Sequence, residues 1–208
     1  MRANKLAAQV EFFYDLSSPW TRIAFHNLRA IAKETGAQIR WRPFLVGGVF
    51  NAVNEDVYKS RANPDAPKVR HSMSWLKQWA KLAGVAMNFP SEHHPVKSVI
   101  AMRVCCALEE NQDKLLRFTE HAFEAYFTSR RNLDDPNVIA AAADECGLDG
   151  ERLIAQAGEQ ATKDRLRANT QEAIERGAFG SPTIFVNETE LYFGNDQLPL
   201  VKQAILAF

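Results

Sequence analysis

The sequence predicts an α/β protein in which both ends of the chain contribute to one sheet and the middle is helical. An apolar run, Val10 to Asp15, predicts a buried strand, and a helical pattern follows it directly. Near the other end, Thr183 to Val186 and Leu191 to Phe193 predict two short strands. Between these regions, apolar residues recur mainly at the spacing of helices. The sheet-forming unit is therefore expected to be discontinuous in sequence.

The N-terminal region predicts a strand–helix–strand unit. Val10 to Asp15 is apolar almost throughout, as in a central strand that is covered on both faces. Thr21 to Thr35 predicts a helix that ends at Gly36, a residue type common at helix ends. Gln38 to Phe44 alternates and carries β-branched and aromatic side chains, so it predicts the second strand. A unit of this length forms a right-handed parallel crossover.

The middle of the chain combines two predicted loops with a set of helices. Leu45 to Pro67 predicts a long irregular loop, because it contains several glycine, asparagine and proline residues. Loops of this length in compact domains usually bind or gate a ligand, and a surface connector is the alternative. Met87 to Pro95 predicts a second loop. Four or five helices are expected in addition, and the candidate segments are His71 to Ala83, Pro95 to Glu110, Lys114 to Thr128, Pro136 to Cys146 and Gly150 to Gly177.

The C-terminal region predicts a hairpin and a final helix. The two strands that begin at Thr183 and Leu191 are expected to be antiparallel and to be joined by a turn at residues 187–190. Asn195-Asp196 is predicted to cap a last helix, Gln197 to Phe208, in which Pro199 is tolerated because it falls in the first turn.

Length and composition limit the classes of function. The 208 residues suit one domain with an insertion, and 46% apolar with 24% charged residues is typical of a soluble globular protein. The 25 basic residues balance 25 acidic ones, so we expect no nucleic-acid partner. No segment is long and apolar enough to suggest a membrane span, and residues 1–9 lack the apolar region of a signal peptide. We expect a cytoplasmic protein.

The three cysteines do not form a disulfide framework or a metal motif. Cys105 and Cys106 are adjacent and lie in an apolar helical run, so we interpret them as packing residues. Such cysteine usage indicates a reducing compartment. His93 and His94 are adjacent and have no cysteine nearby in sequence, so these histidines are interpreted as loop residues, and no metal site is predicted.

Two turns carry the candidate chemistry. Ser17 or Ser18 can cap the first helix, and Pro19 suits its first turn because a missing N–H group costs nothing there. The first N–H groups of a helix favour negative charge, and a serine hydroxyl can hydrogen-bond an anion. The alternative is an ordinary capped helix after a strand. The second turn, Gly180-Ser181-Pro182, directly precedes the strand that begins at Thr183.

Together, these end regions resemble the two halves of a thioredoxin-like fold. In that fold the proline before the third strand is cis and faces the N-terminus of the first helix, and Pro182 stands at this position here. Ser18-Pro19-Trp20-Thr21 falls in the frame where the disulfide oxidoreductases of that fold carry Cys-x-x-Cys. Hydroxyl residues replace both cysteines. The chain therefore keeps the anion-stabilising loop but cannot form the redox disulfide.

Six motifs follow one another from about residue 10 to the end of the chain. They are Phe13-Tyr14-Asp15-x-x-Ser18-Pro19, Arg40-Trp41-Arg42-Pro43-Phe44-Leu45-Val46-Gly47-Gly48, Asn88-Phe89-Pro90, Ala101-Met102-Arg103, Gly177-Ala178-Phe179-Gly180-x-Pro182-Thr183 and Phe193-Gly194-Asn195-Asp196-x-Leu198. This ordered set resembles the 2-hydroxychromene-2-carboxylate isomerases, which are related to the kappa-class glutathione transferases. The resemblance implies a thioredoxin-like fold with a large all-helical insertion, the architecture of DsbA-like proteins and kappa-class transferases. The expected domains are residues 9–50 with 176–208, and an insertion at 51–175.

The resemblance implies that glutathione is the cofactor and that Ser18 hydrogen-bonds its sulfur. A free thiol of this kind has a pKa of about 8.5, so a helix N-terminus and a hydroxyl donor would raise its thiolate fraction. Pro19 and Trp20 belong to the same cofactor-binding set. Trp20-Thr21 replaces a Tyr-Ser pair that is common in the family, and Trp20 keeps the aromatic wall. Ser18 is not predicted to be a nucleophile, because no serine–histidine–aspartate arrangement is indicated.

Four further residues are implied to hold the peptide part of glutathione. The backbone N–H and C=O of Ser181, before a cis Pro182, would pair with the cysteinyl part, and a purely structural turn is the alternative. At the start of the last helix, Asn195 and Asp196 would bind the carboxylate and the ammonium group of the γ-glutamyl end. A simple helix cap is the alternative for this pair.

Three positions remain less defined. Asn54 roughly matches a family asparagine that contacts glutathione, and Asn51 is its competitor. Lys68 stands where the family carries a basic residue, which would help to bind an acidic substrate or the glycyl carboxylate. An exposed, solvated lysine is the alternative. After Lys68, His71-Ser72 and Trp75 replace family residues that would line the pocket for the second substrate.

The resemblance implies a glutathione-dependent isomerase of an unsaturated aromatic keto acid, acting as a homodimer. The thiolate would add to an activated double bond, the resulting single bond would rotate, and elimination would return the thiol. A kappa-type glutathione transferase that conjugates glutathione to electrophiles is one alternative. A non-redox, DsbA-like binding protein is another.

Overall fold

A four-stranded sheet, contributed by both ends of the chain, organises the structure, a computed structural model that describes residues 8–63 and 65–207. Its strands are β1 (Gln9–Tyr14), β2 (Gln38–Pro43), β3 (Thr183–Val186) and β4 (Glu190–Phe193), in the order β2-β1-β3-β4. β1 pairs with β2 in parallel, while β3 is antiparallel to both β1 and β4. The predicted crossover and hairpin are thus confirmed.

Ten α-helices of the described residues surround this sheet. α1 crosses from β1 to β2, α2 to α9 lie between β2 and β3, and α10 follows β4. Their bounds are α1 (Pro19–Thr35), α2 (Val46–Val53), α3 (Asp56–Ala62), α4 (Pro67–Ala83), α5 (Val99–Leu108), α6 (Gln112–Phe123), α7 (Pro136–Glu145), α8 (Gly150–Ala157), α9 (Gln160–Glu175) and α10 (Leu198–Ala207). A π-helical turn, Glu124–Thr128, extends α6, and a 3-10 turn, Asn195–Gln197, precedes α10. Phe208, the predicted end of the last helix, lies outside the described residues.

The prediction of an irregular loop over residues 45–67 was wrong, because this stretch contains α2 and α3. Pro64, which was part of that prediction, lies outside the described residues. The start of α2 is held by distant partners: the Val46 N–H donates to Asp15 Oδ2 at 2.9 Å, and the Leu45 N–H donates to Thr170 Oγ1 at 2.9 Å. Gly48 allows the close approach of α2 to α9, since a Cβ there would lie 3.0 Å from Thr170 Cγ2. Local sequence patterns do not report such contacts.

Two helix boundaries in the insertion also differ from the prediction. The segment from Gly150 to Gly177 forms two helices, because Glu159 is extended (φ −69°, ψ 147°) between α8 and α9. The helix predicted from Pro95 begins only at Val99. The described residues of 51–175 contain seven complete α-helices, α3 to α9, and the last residues of α2. Four or five helices were expected there.

One face of the sheet packs on α1 and on the helical insertion. The Phe12 ring lies 5.3 Å from the Trp41 ring, which in turn lies 4.8 Å from Phe25 of α1, centroid to centroid. Phe25 also contacts Phe123 of α6, at 5.3 Å. The apolar core is thus continuous from the sheet into the insertion. The division of the chain into residues 9–50 with 176–208 and an insertion at 51–175 stays a prediction.

The other face of the sheet carries a buried charge cluster beside an aromatic one. Phe13 packs against Phe185 and Phe44 beneath α2 and α9. Next to them, the Arg42 side chain is only 7% exposed and donates hydrogen bonds to Glu11, Glu109, Glu172 and Asn169. Burial raises the pKa of the Glu109 carboxyl, and Asn169 and Arg42 oppose that rise. Arg42 thus joins the sheet to α5 and α9.

Replacing Arg42 with methionine should lower the free energy of unfolding by about 3 kcal/mol or more, because it leaves the buried Glu109 with only the more distant Arg165, at 3.8 Å, as a cation. Equilibrium unfolding in urea, followed by circular dichroism, measures this loss. Arg29→Met is the matched control, since its pair with Glu120 is about one third exposed and such pairs contribute about 1 kcal/mol or less. Similar losses in the two variants would show that Arg42 does not stabilise the fold through burial.

Candidate functional site

The N-terminus of α1 is the centre of the candidate site. Ser18 caps the helix as predicted: its Oγ accepts a hydrogen bond from the Thr21 N–H at 3.2 Å, and Pro19 is the first helical residue. Ser18 is half-buried, so its side chain remains reachable from outside. A helix of this length presents a positive partial charge at this end. The position therefore suits an anion.

The turn before β3 meets this helix N-terminus. The Ser181-Pro182 peptide bond is cis, as predicted. The Ser18 hydroxyl donates to the backbone oxygen of Ser181 at 3.1 Å, although 163 positions separate the two residues. The two motifs that were singled out at opposite ends of the chain therefore form one site.

A second hydroxyl pair lies directly behind Ser18. Thr21 Oγ1 and Ser181 Oγ share a hydrogen bond of 2.7 Å, and the Asp15 N–H donates to the same Ser181 Oγ at 3.0 Å. Thr21 is fully buried. The sequence identified Thr21 as the replacement for a cysteine and as part of the Trp20-Thr21 pair, but a pairing with Ser181 could not be inferred from either local pattern.

The Asp15 carboxylate fixes the loop between β1 and α1. It is fully buried, and its Oδ1 accepts hydrogen bonds from the N–H and from the hydroxyl of Ser17, both at 2.8 Å. Its Oδ2 accepts the bond from Val46 that begins α2. Asp15 thus sets the position of the loop and of α2 together. Its motif was noticed in the sequence, but this role was not.

The backbone of Ser181, a residue that is 8% exposed, keeps an unpaired donor. Within the described part of the chain, its N–H group has no acceptor, and its C=O group accepts only the Ser18 hydroxyl. Asn54, at the end of α2, reaches the same turn, since its Nδ2 donates to the Phe179 backbone oxygen at 2.9 Å. Asn51, its predicted competitor, instead accepts a hydrogen bond from the Tyr58 hydroxyl at 2.6 Å.

Asn195 and Asp196 lie in the 3-10 turn before α10, and the prediction that their side chains cap the last helix was wrong. Asn195 is 2% exposed, and its Oδ1 accepts a hydrogen bond from Asn27 of α1 at 2.9 Å. Its Nδ2 is buried and has no partner among residues 8–63 and 65–207. Asp196 is exposed and accepts from the neighbouring Gln197. Asn195 therefore attaches the turn to α1, while Asp196 remains available to a ligand.

Aromatic side chains lie on the first turn of α1 and at the Ser181 turn. Trp20 is half-buried and packs beside Ile23 and Leu76. Phe179 and Phe193 lie 4.4 Å apart, centroid to centroid, and are 41% and 36% exposed. This pair was not predicted as part of the site. The predicted basic residue Lys68 lies in the first turn of α4 and is exposed.

Two cavities differ in their relation to this site. A cavity of about 330 Å³ adjoins the β1–α1 loop and is lined by Asp15, Ser17 and the start of α2. A larger cavity of about 850 Å³ lies at the opposite end of the sheet, where β1 and β2 begin. The larger cavity is therefore not the one near Ser18. The hydrogen-bonded hydroxyls lie at the end of the sheet that carries the smaller cavity.

The cysteines take no part in this arrangement. All three are free and buried, which confirms the interpretation of Cys105 and Cys106 as packing residues. Burial raises the pKa of Cys105 to about 12, so its thiol stays protonated at neutral pH. Across the residues that the structure describes, no group of three or more histidine, cysteine, aspartate or glutamate side chains is placed to hold a metal ion.

Every helix in the described part of the chain is too short or too polar to cross a bilayer.

Comparison with known proteins gives the same fold and family. The family model of the DSBA-like thioredoxin domain matches residues 9–206. A 2-hydroxychromene-2-carboxylate isomerase of Sphingobium xenophagum is 26% identical over 204 residues, which cover 95% of this chain and 97% of that protein. The glutathione S-transferase kappa 1 of Rattus norvegicus is 26% identical over 207 residues, which cover 92% of this chain and 88% of that protein.

A solved structure of a 2-hydroxychromene-2-carboxylate isomerase superposes with a TM-score of 0.81 at 23% identity, covering 96% of this chain and 95% of that one. At this identity, the superposition bears on the fold alone. Together with the family match, it confirms the predicted thioredoxin-like fold with its helical insertion. The resemblance inferred from the ordered motifs is confirmed as well.

Replacing Thr21 with valine should lower the free energy of unfolding by about 1–2 kcal/mol, because valine has nearly the same shape but leaves the buried Ser181 hydroxyl short of a partner. Urea unfolding measures the loss. Thr162→Val is the matched control: Thr162 is also buried, and its side chain forms no hydrogen bond within the described ranges. We expect a clearly smaller change there, and equal losses would contradict the role given to the Thr21–Ser181 bond.

Proposed function

The chain belongs to the family of DSBA-like thioredoxin domains, and we propose that it is a glutathione-dependent isomerase of an unsaturated aromatic keto acid. One observation carries the proposal. The half-exposed Ser18 hydroxyl caps α1 and lies against a Ser181 backbone that still has an open N–H group. The names of the relatives, which include an isomerase and a glutathione transferase, support an enzyme.

The residues at this site fit glutathione. Ser18 supplies a hydroxyl hydrogen, and α1 supplies the positive end of a helix dipole, so together they favour a thiolate over a thiol. The Ser181 N–H and C=O groups suit the backbone of a short extended peptide. When an amide of the ligand takes the Ser181 oxygen, the Ser18 hydroxyl is released to donate to the sulfur. The present hydrogen bond thus holds the donor where the ligand needs it.

The two ends of the tripeptide have candidate partners at either side of this centre. We propose that Asp196, exposed and acidic, binds the γ-glutamyl ammonium group. Asn195 acts mainly by holding the turn against Asn27, because its own side chain is buried. Asn54 would contact glutathione at the other side of the Ser181 turn, where its side chain already donates to the Phe179 backbone oxygen.

The second substrate would lie against apolar aromatic surface. Trp20 follows Pro19 in the first turn of α1, and the Phe179–Phe193 pair lies on the Ser181 turn. Flat side chains of this kind suit an aromatic ring. Bound glutathione would supply a thiolate that adds reversibly to an activated double bond, so that the bond can rotate before the thiol leaves. A homodimer and a cytoplasmic location stay predictions.

A kappa-type glutathione transferase is the second candidate, because relatives with that name cover nearly the whole chain. The same thiolate site serves both reactions. In the transferase reaction the product keeps the sulfur of glutathione, whereas in the isomerase reaction glutathione is released again.

Replacing Ser18 with alanine should lower the glutathione-dependent isomerisation of 2-hydroxychromene-2-carboxylate by about tenfold to a hundredfold, because one hydrogen bond to a charged sulfur is lost. It should also raise the pKa of the bound thiol, which the ultraviolet absorbance of the thiolate reports. Ser17→Ala is the matched control, since the Ser17 hydroxyl bonds to Asp15 instead. Equal rates with and without glutathione, or an unchanged thiol pKa in Ser18→Ala, would contradict the proposal.

Total free thiol, followed during turnover, should stay constant if the chain is an isomerase, because glutathione is returned in each cycle. A fall in free thiol that matches product formation would identify a transferase instead. The assay uses the same protein, the same aromatic substrate and a standard thiol reagent. A reaction lacking the protein corrects for spontaneous conjugation.

A further inference from the structure

A cavity of about 400 Å³ lies between α2, α5 and α9, and the proposed function does not use it. Its polar wall contains three cationic residues, Arg103, Lys163 and Arg167, and none of its described lining residues is acidic. Its apolar wall includes Val99 and Leu166. The cavity therefore combines a positive end with an apolar body. A volume of this size is within the usual range of small-molecule sites.

Arg103 is the lining residue whose hydrogen-bonding groups are least satisfied by the protein. It lies on α5, lines the cavity and is half-buried. Its Nε is buried and has no hydrogen-bond partner, and none of the residues at 8–63 and 65–207 forms an ion pair with it. A charged group that is removed from water without a partner is unfavourable, and buried charges in proteins are normally paired. The Nε–H group of Arg103 therefore lacks an acceptor, which an anion in the cavity can supply.

The neighbouring cations are not neutralised from within the cavity. Arg167 is largely exposed and pairs with Asp164, which lies outside the lining. Lys163 is half-buried and has no ion pair within the described part of the chain. The excess of positive charge at this wall favours a ligand with a negative group.

The apolar part of the cavity limits the kind of anion. The side chains of Val99 and Leu166 offer a ligand no hydrogen-bonding group. Ala52 lies at an exposed part of the wall. A bare inorganic anion would leave these surfaces without contacts. An aromatic ring with a carboxylate would satisfy both walls, because guanidinium groups bind carboxylates through two parallel hydrogen bonds. We propose that this cavity binds a small aromatic carboxylate, with Arg103 as the ligand of its carboxyl group.

The inference goes beyond the proposed function and does not depend on glutathione. It also gives a role to Arg103 of the Ala101-Met102-Arg103 motif, whose Met102 accepts a hydrogen bond from the Leu16 N–H in the β1–α1 loop. Leu45, Gly48 and Val99 line both this cavity and the one beside Ser17. A carboxylate held here would therefore contact the same start of α2 that Asp15 holds from the other side.

Calorimetric titration without glutathione tests the proposal, with cinnamate as the aromatic carboxylate. We expect cinnamate to bind the full-length protein, and both its neutral amide and inorganic phosphate to bind at least tenfold more weakly. Arg103→Met should weaken cinnamate binding by tenfold or more, because a hydrogen-bonded charge is lost. Arg152→Met is the matched control, since Arg152 is exposed on α8 and should leave the affinity unchanged.

Thermal unfolding of the unliganded variants separates binding from folding. Arg103→Met removes an unpaired charge, so its melting temperature should not fall. If it does fall, Ala52→Phe fills the exposed wall while keeping Arg103, and it should weaken cinnamate binding in the same way. The proposal is overturned if cinnamate does not bind, if its amide or phosphate binds equally well, or if the variants bind cinnamate as tightly as the unchanged protein. A failure of the Ser18 experiments would leave this result unaffected.

Discussion

The hydrogen bonds between the start of α1 and the Ser181 turn are the interaction on which the rest of the site depends. Ser18 and Thr21 come from the first tenth of the chain, and Ser181 comes from near its end. Ser18 donates to the Ser181 backbone, and Thr21 pairs with its hydroxyl. Because β1 and β3 are adjacent and antiparallel, the end of β1 and the start of β3 lie at the same end of the sheet, and so do the two motifs. A site composed from two distant turns can be rigid only if such bonds connect them.

Much of this site could be predicted from the sequence, because its main elements have strong local signals. Ser18 as a helix cap, Pro19 as the first helical residue and the strands on either side follow from residue types and spacing. What could not be predicted rests on contacts between distant residues. The helix α2 depends on Asp15 and Thr170, and the Asn195 side chain bonds to Asn27 instead of capping its own helix. Glycine and asparagine near α2 indicated a loop, and tertiary partners overrode that local preference.

Two arginines of the insertion and the sheet show how differently a protein treats a buried charge. Arg42 is surrounded by Glu11, Glu109 and Glu172, so its burial joins three elements and stabilises the fold. Arg103 is half-buried, and its buried Nε–H group has no acceptor among the described residues. A fold gains nothing from an unpaired cation, since methionine would fill the same space without the cost of desolvation. Its presence at a cavity wall therefore points to a bound anion.

The exchange of two thiols for two hydroxyls separates functions that a Cys-x-x-Cys site combines. Such a site stabilises a thiolate at the helix N-terminus and also transfers a pair of electrons when its two thiols and its disulfide interconvert. Here the helix N-terminus and a hydroxyl donor remain, but Thr21 is buried and bonded to Ser181, and Ser18 cannot be oxidised to a disulfide. Under the proposed function, the reactive sulfur arrives with glutathione. The second substrate would then decide whether that sulfur leaves again or stays in the product.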